Sequence, residues 1–305
     1  MSEYMIVPTD SIDDTADAIK TKLGTQNDLT WGQDGFASYV EDIPSGSSVV
    51  WTRPNNWPNL DNLDISSGNI LYLTYIANEA NGFCDIKCKT SSGQYTVEVG
   101  TISGSTFTAD STQSYNSNNA CQLYFGSALG GYKVIRVTGN ITYFTTNYNG
   151  INSYNGQYRF NTNQGLAEAR GKLQNSTSTT FRAMKFLEHL YMTGGAGNHM
   201  IRDNDALILA ELPYFITSST TSMESLFYNN RHLVKVDTTG WDTSNVTSLN
   251  LVFYNCCDLK IVDVSGWNVK KVLTFNQTFY QCFALETVDV SEWETNAATS
   301  FKQTF

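Results

Sequence analysis

The chain carries three histidines, His189, His199 and His232, and six cysteines in 305 residues. Nucleophilic or metal chemistry would have to be built from these groups. A hydrolase triad or zinc centre needs an imidazole beside a nucleophile or beside further ligands. HLYMTGGAGNH (189–199) offers no carboxylate between its ends and no HExxH arrangement, and His232 falls on a polar turn and reads as solvated. The cysteines lack paired metal-type spacing. In FCDIKCK, strand alternation puts Cys84, Ile86 and Cys88 on one face and Asp85 and Lys87 on the other, which reads as core packing. Carboxylate pairs for glycan cleavage need only spatial proximity, so sequence leaves them open. Nothing positive suggests them: the chain reads as non-enzymatic, with no catalytic residue, no metal ligand and no cofactor.

Two further groups bear on ligands. Asp237, Asp263 and Asp289 recur every 26 residues. Like charges stacked at roughly 5 Å repel unless a cation or backbone N–H groups compensate them. Backbone N–H bonds across a turn are the commoner arrangement and need no metal. In WTRPNNWPNLD, Trp51 and Trp57 stand among prolines. They either present aromatic faces to a sugar or seal one end of a domain, and the packing role is the favoured one. Trp51, Trp57 and the three aspartates are the candidate ligand-binding residues.

These residues must be positioned by three regions and a connector between the last two. In PTDSIDDTADAIKTKLG, Asp10 or Ser11 caps a helix whose Ile12, Ala16, Ile19 and Leu23 form one stripe. Phe36, Val40 and Ile43 suggest a second helix before Pro44. Two short helices make too small a core to stand alone, so 1–43 is an attachment segment that docks elsewhere, with a helical lid as the alternative. After PSGSS, residues 49–150 alternate ILYLTYIA, FCDIKCKT, QYTVEVGTI, CQLYFG, YKVIRVTG and NITYFTT with Gly, Asn and Ser, the pattern of an antiparallel sandwich of immunoglobulin-like size. Residues 151–200 form a connector and the start of the solenoid: NSYNGQYRFNTNQG reads as loop, AEARGKL as a helical turn and FLEHLYM as a strand that begins the final region.

Residues 201–305 repeat. Phe227, Phe253, Phe279 and Phe305 are 26 apart; so are Trp241, Trp267 and Trp293, then Leu233, Leu259 and Leu285, then Val236, Val262 and Val288. Tyr228, Tyr254 and Tyr280 follow the first three phenylalanines, and Cys256 and Cys282 occupy equivalent places that read as a thiol ladder. Such a period means stacked units, each unable to bury its apolar side alone, with Leu and Val in a short parallel strand and Phe and Trp inside.

The pattern F-Y-x-C-x-x-L-x-x-V-D-V-S-G-W-N (253–268), with DTSNVTSL at 242–249, resembles the BspA-like leucine-rich repeat family of bacterial surface and phage tail proteins. That resemblance implies a leucine-rich solenoid with adhesive roles. DSIDDTADAIKTKLG is similar to N-terminal segments of phage tail or fibre proteins, and QYTVEVGTISGSTF with YKVIRVTG looks like a degenerate PKD-type sandwich. The fold expected is therefore mainly β: a small N-terminal helical segment, an antiparallel immunoglobulin-like (PKD-type) sandwich and a C-terminal leucine-rich-repeat solenoid of 26-residue repeats.

Composition narrows the partners. A net charge of -10 without a basic cluster argues against nucleic acid. MSEYMIVPTD has neither a basic start nor an apolar run, and no stretch of about 18 apolar residues occurs, so neither export nor membrane insertion is expected. With 16% charged and 13% aromatic residues, the surface is rich in Asn, Thr, Ser, Gly and Tyr, which suits sugars or stacked repeats. The combined expectation is a phage virion protein of a tail fibre or host-adhesion appendage, assembled in the host cytoplasm. Residues 1–43 would hold other virion proteins, and the repeats would bind a bacterial surface glycan or protein. The tail-fibre resemblance implies a homotrimer. A bacterial surface adhesin is the alternative, and a glycan-cleaving enzyme the third.

Overall fold

The computed structural model describes Trp57 and residues 60–77, 83–91, 93–125, 131–146, 151–154, 157–160, 165–174, 176–194 and 199–305. The helices expected within 1–43, and Trp51, lie outside these residues. The described chain is mainly β and forms two large mixed sheets. Among the described residues no helix is long and apolar enough to cross a membrane.

Seven strands come first: β1 (Ile70–Ala77), β2 (Phe83–Thr90), β3 (Gln94–Ser103), β4 (Thr106–Asn116), β5 (Ala120–Tyr124), β6 (Gly131–Thr138) and β7 (Ile141–Thr146). All pairing among them is antiparallel, and they divide into β1-β6-β3-β4 and β7-β2-β5. Alternation decides which side faces in. Leu71, Leu73 and Tyr75 of β1 and Cys84, Ile86 and Cys88 of β2 enter one shared core, so the two sheets pack on each other. β4 has no such pattern and sits at the sheet edge with nearly every residue exposed. A strand whose hydrogen bonds go to one neighbour and whose side chains face water leaves no apolar signature.

Two expectations about 151–200 are corrected. The stretch read as loop contains a hairpin, β8 (Ile151–Tyr154) with β9 (Gln157–Phe160), paired from Ile151↔Phe160 to Tyr154↔Gln157. AEARGKL is not helical: β10 (Leu166–Lys172) pairs antiparallel with β1, and Ala-Glu-Ala-Arg propensity gives way to two strand partners and burial.

From β10 onward the chain winds back and forth between the sheets, and pairing turns parallel. β12 (His189–Thr193), β14 (Leu209–Glu211), β15 (Lys235–Asp237) and β16 (Ile261–Val262) extend the first sheet, while β11 (Thr179–Arg182) and β13 (Met200–Arg202) extend the second. The first sheet thus runs β16-β15-β14-β12-β10-β1-β6-β3-β4 without a break. Further on, single parallel bridges link Ser222, Ser248, Thr274 and Ser300.

Each 26-residue turn lays its side chains on those of the turn before. Phe227, Phe253, Phe279 and Phe305 stack with centroids 5.3, 5.4 and 5.5 Å apart. Trp241, Trp267 and Trp293 follow at 5.6 and 6.3 Å. Leu233 and Leu259 are buried and Leu285 is half-buried, whereas Phe305 is 66% exposed on the outermost layer. The turn corners need left-handed backbone at Asp203, Asn229, Asn255 and Gln281, with φ between 57 and 62°. Short polar side chains tolerate that region better than branched apolar ones.

A buried polar ladder runs through the same stack. Asn204, Asn230, Cys256 and Cys282 are 26 apart. Asn230 donates to the Ile201 carbonyl at 2.6 Å and accepts the Asn204 N–H at 2.9 Å; Cys256 and Cys282 donate to the Phe227 and Phe253 carbonyls at 3.2 and 3.1 Å. Asn230→Ala strands one buried carbonyl and one buried N–H, and should cost about 2 kcal/mol. Asn230→Cys restores only the donor, as the later turns do, and should cost about half as much. Equal losses in urea denaturation for the two variants would mean that the bond donated to the Ile201 carbonyl contributes nothing.

Candidate functional site

The turns set a polar, aromatic stripe along one side of the stack. Tyr228, Tyr254 and Tyr280, each half-buried, stack with centroids 4.9 and 5.6 Å apart, and the Arg202 guanidinium lies over the Tyr228 ring at 4.9 Å. Beside them, Asn255 Nδ2 donates to Asn229 Oδ1 at 2.6 Å, and Asn229 Nδ2 donates to Asp203 Oδ1 at 3.3 Å. Arg182 and Arg202 both reach Asp203 Oδ2, at 3.3 and 2.9 Å. Because both faces of Tyr228 and Tyr254 are taken up by neighbouring rings and by Arg202, the stripe offers ring edges, hydroxyls and amides to a partner, and one open face of Tyr280 as well. Such groups bind by hydrogen bonds over a long, regular surface.

The aspartate ladder lies on a different side. Asp237 Oδ1 accepts the Thr239 N–H at 2.9 Å, Asp263 Oδ1 the Ser265 N–H at 3.0 Å, and Asp289 Oδ1 the Ser291 N–H at 2.9 Å. The Ser265 and Ser291 hydroxyls also donate to their aspartates at 2.7 Å. These bonds hold the Asp263 and Asp289 carboxyls below the usual range, the serine side-chain bonds contributing most. Each carboxylate therefore closes its own turn, and the three do not converge on one point.

Trp57 is buried against Ile76, Ala167 and Phe186, and its ring meets Tyr132 at 5.4 Å. His232 is half-buried, not solvated, with Nδ1 2.9 Å from Asp258 Oδ2 on the next turn. His199 is buried against the Phe215 ring at 4.1 Å, and its Nδ1 accepts the Thr179 N–H at 3.2 Å. Cys256 and Cys282 are thiols, and burial pushes Cys282 up to about 12.

One cluster was invisible in sequence. Glu168 on β10 lies directly opposite His189 on β12, with Nδ1 3.7 Å from Glu168 Oε1. Asp61, on the short turn Leu60–Asn62, completes a set whose ligand atoms all lie within 4.8 Å of one another. His189 Nε2 is 2.7 Å from Glu211 Oε2 on β14, and Arg170 reaches Asp61 at 3.7 Å while lying over the Tyr191 ring at 4.1 Å. Asp61 and Glu168 are 107 residues apart, so no local spacing could have announced them.

Comparison with known proteins bears on the stacked turns alone. Residues 198–305 match the model of a family described as "Mycoplasma protein of unknown function, DUF285", which is linked to BspA-like repeats. No curated protein and no solved structure matches the chain.

Proposed function

We propose that this chain is a non-catalytic adhesion protein whose C-terminal turns form a leucine-rich-repeat solenoid that recognises a bacterial surface glycan or protein. The immunoglobulin-like sandwich at 49–150 serves as its base, and residues 1–43 attach it to a phage tail appendage, where it acts as a virion protein and trimerises. The observation that carries the binding reading is the stripe of Tyr228, Tyr254 and Tyr280 beside Asn229 and Asn255. It supplies one set of hydrogen-bonding groups per turn, so weak contacts add along an extended partner. The phage setting is supported by the resemblance of DSIDDTADAIKTKLG to tail-protein segments. The family description, which names a Mycoplasma protein, favours the second reading, an adhesin on a bacterial surface.

The test uses the labelled full chain on a panel of bacterial strains, beside the triple variant Tyr228→Phe, Tyr254→Phe, Tyr280→Phe. That variant keeps the ring stack and removes only hydroxyls. Binding at least about 10-fold weaker is expected if the stripe makes two or three hydrogen bonds to the receptor. Unchanged binding removes the stripe from recognition, and failure of the full chain to bind any strain removes adhesion itself. Mass spectrometry of purified virions and of cell envelopes separates the two settings.

A further inference from the structure

The seam between the antiparallel strands and the parallel stack holds an arrangement that packing alone does not explain. On β1, Leu71, Leu73 and Tyr75 face the shared core, so Tyr72, Thr74 and Ile76 face outward. Thr74 pairs with Glu168 in the β1–β10 register, and Glu168 pairs with His189 in the β10–β12 register. Side chains directly opposite in a ladder share a face, so these three form a row across adjacent strands. Asp61 is brought over that row by the Leu60–Asn62 turn, which Leu60 and Leu63 pin against Ile70 and Tyr72.

The row is buried although it is polar. Glu168 is 1% exposed and Thr74 0%, and the Thr74 hydroxyl has no hydrogen-bond partner among the described residues. A fully buried hydroxyl without a protein partner costs free energy, which a ligand bound beside Glu168 would offset. Imidazole geometry points the same way. In the tautomer that donates Nε2–H to Glu211 Oε2 at 2.7 Å, the Nδ1 lone pair is directed at Glu168 from 3.7 Å. A carboxylate holding the far ring nitrogen, with the near lone pair turned to other anionic oxygens, is how proteins orient a metal-binding histidine.

We propose that Asp61, Glu168 and His189 bind one divalent transition-metal cation of the zinc type, with Glu211 as the positioning residue that orients the imidazole and Thr74 as a further oxygen donor. Two carboxylate oxygens and an imidazole nitrogen form a mixed set that suits zinc better than calcium or magnesium, which prefer oxygen alone. Ligand atoms around such an ion stand roughly 3.4 Å apart. The His189–Glu168 separation is already near that value, and Asp61, with a side chain 45% exposed, stands on the open side of the cluster. Arg170, the neighbouring cation, faces Asp61 from the Tyr191 side, and carboxylates outnumber cations at the cluster among the described side chains. Bound metal would tie the Leu60–Asn62 turn to β10 and β12 and so lock the seam.

The experiment titrates Zn2+ into the chelator-treated full chain by calorimetry, with Ca2+ and Mg2+ as comparison ions. One equivalent of Zn2+ should bind at micromolar or tighter affinity. Asp61→Asn and Glu168→Gln should each abolish that equivalent, and Glu211→Gln should weaken it about 10- to 100-fold without changing the stoichiometry. Asp61 lies on an exposed turn, so its variant stays folded and keeps the test valid if Glu168→Gln does not. His232→Gln, which removes the imidazole at Asp258, should leave the equivalent in place. No binding by 1 mM Zn2+ would overturn the site, roughly a thousandfold above the affinity expected of it. So would an equivalent that survives Asp61→Asn and Glu168→Gln, or one that His232→Gln removes. In the first case His189 serves only as a structural link between Glu168 and Glu211.

Discussion

Replacing Phe253 with alanine should lower stability by about 3–5 kcal/mol, the range for a fully buried phenylalanine whose cavity cannot collapse. Phe253 lies between Phe227 and Phe279 at 5.3 and 5.4 Å, with Trp267 at 6.4 Å, and it is 0% exposed. The backbone on either side is held by hydrogen bonds to adjacent turns, Phe253 N–H to the Thr278 carbonyl at 2.8 Å among them, so the turns cannot close over a missing ring. Phe305→Ala removes the same ring from the exposed outer layer and should cost under about 1 kcal/mol. Because each turn touches only its neighbours, the damage should spread unevenly. Hydrogen exchange should accelerate first in the turns flanking 249–259, and then in the layers beyond. Similar losses for the two variants in guanidinium denaturation would show that the aromatic ladder is surface decoration rather than core.

The second large effect is a loss of stability in acid that traces to His199. Burial holds its folded pKa down to about 4, below the ordinary 6.5, and the neutral ring is the one that accepts the Thr179 N–H. The folded state thus resists a proton that the unfolded chain takes up readily. The corresponding stability is complete above pH 6.5 and is lost as pH falls from there towards 4, to a total of about 3 kcal/mol. His199→Gln keeps an acceptor near Thr179 but does not titrate. Between pH 7.5 and 4.5 wild type should lose about 2–3 kcal/mol more than this variant in urea denaturation. The comparison is necessary because Asp242, Asp263 and Asp289 also have lowered pKa values, through hydrogen bonds from Ser244, Ser265 and Ser291, and weaken the fold in the same direction as they protonate. Those three are exposed and shared by both proteins, so they cancel. Equal pH slopes for the two chains would assign the acid sensitivity entirely to carboxylates.

The repeat was legible because its information is local and redundant. A layer of Phe227, Phe253 and Phe279 leaves an arithmetic trace that one sequence suffices to reveal, and the stacking distances follow that register without slippage. The same arithmetic could have found Asn204 and Asn230 ahead of Cys256 and Cys282; the change from amide to thiol concealed a shared role as donor to a carbonyl. Strands such as Ile70–Ala77 were legible from alternation, whereas Thr106–Asn116 was not, since an exposed edge strand has no apolar side to display.

What the amino-acid order determined by itself was therefore the period, the stacked residues and most strands of 70–146. Each depends on contacts between near neighbours or on one face meeting a core. Only the tertiary structure decided that β10 joins β1 on one side and β12 on the other, which turned AEARGKL from a helical pattern into a strand and made one sheet of two regions. The same pairing set Thr74, Glu168 and His189 in a row beneath Asp61. Strand pairing links residues across any sequence distance, so that juxtaposition belongs to the fold and has no counterpart in the spacing of the chain.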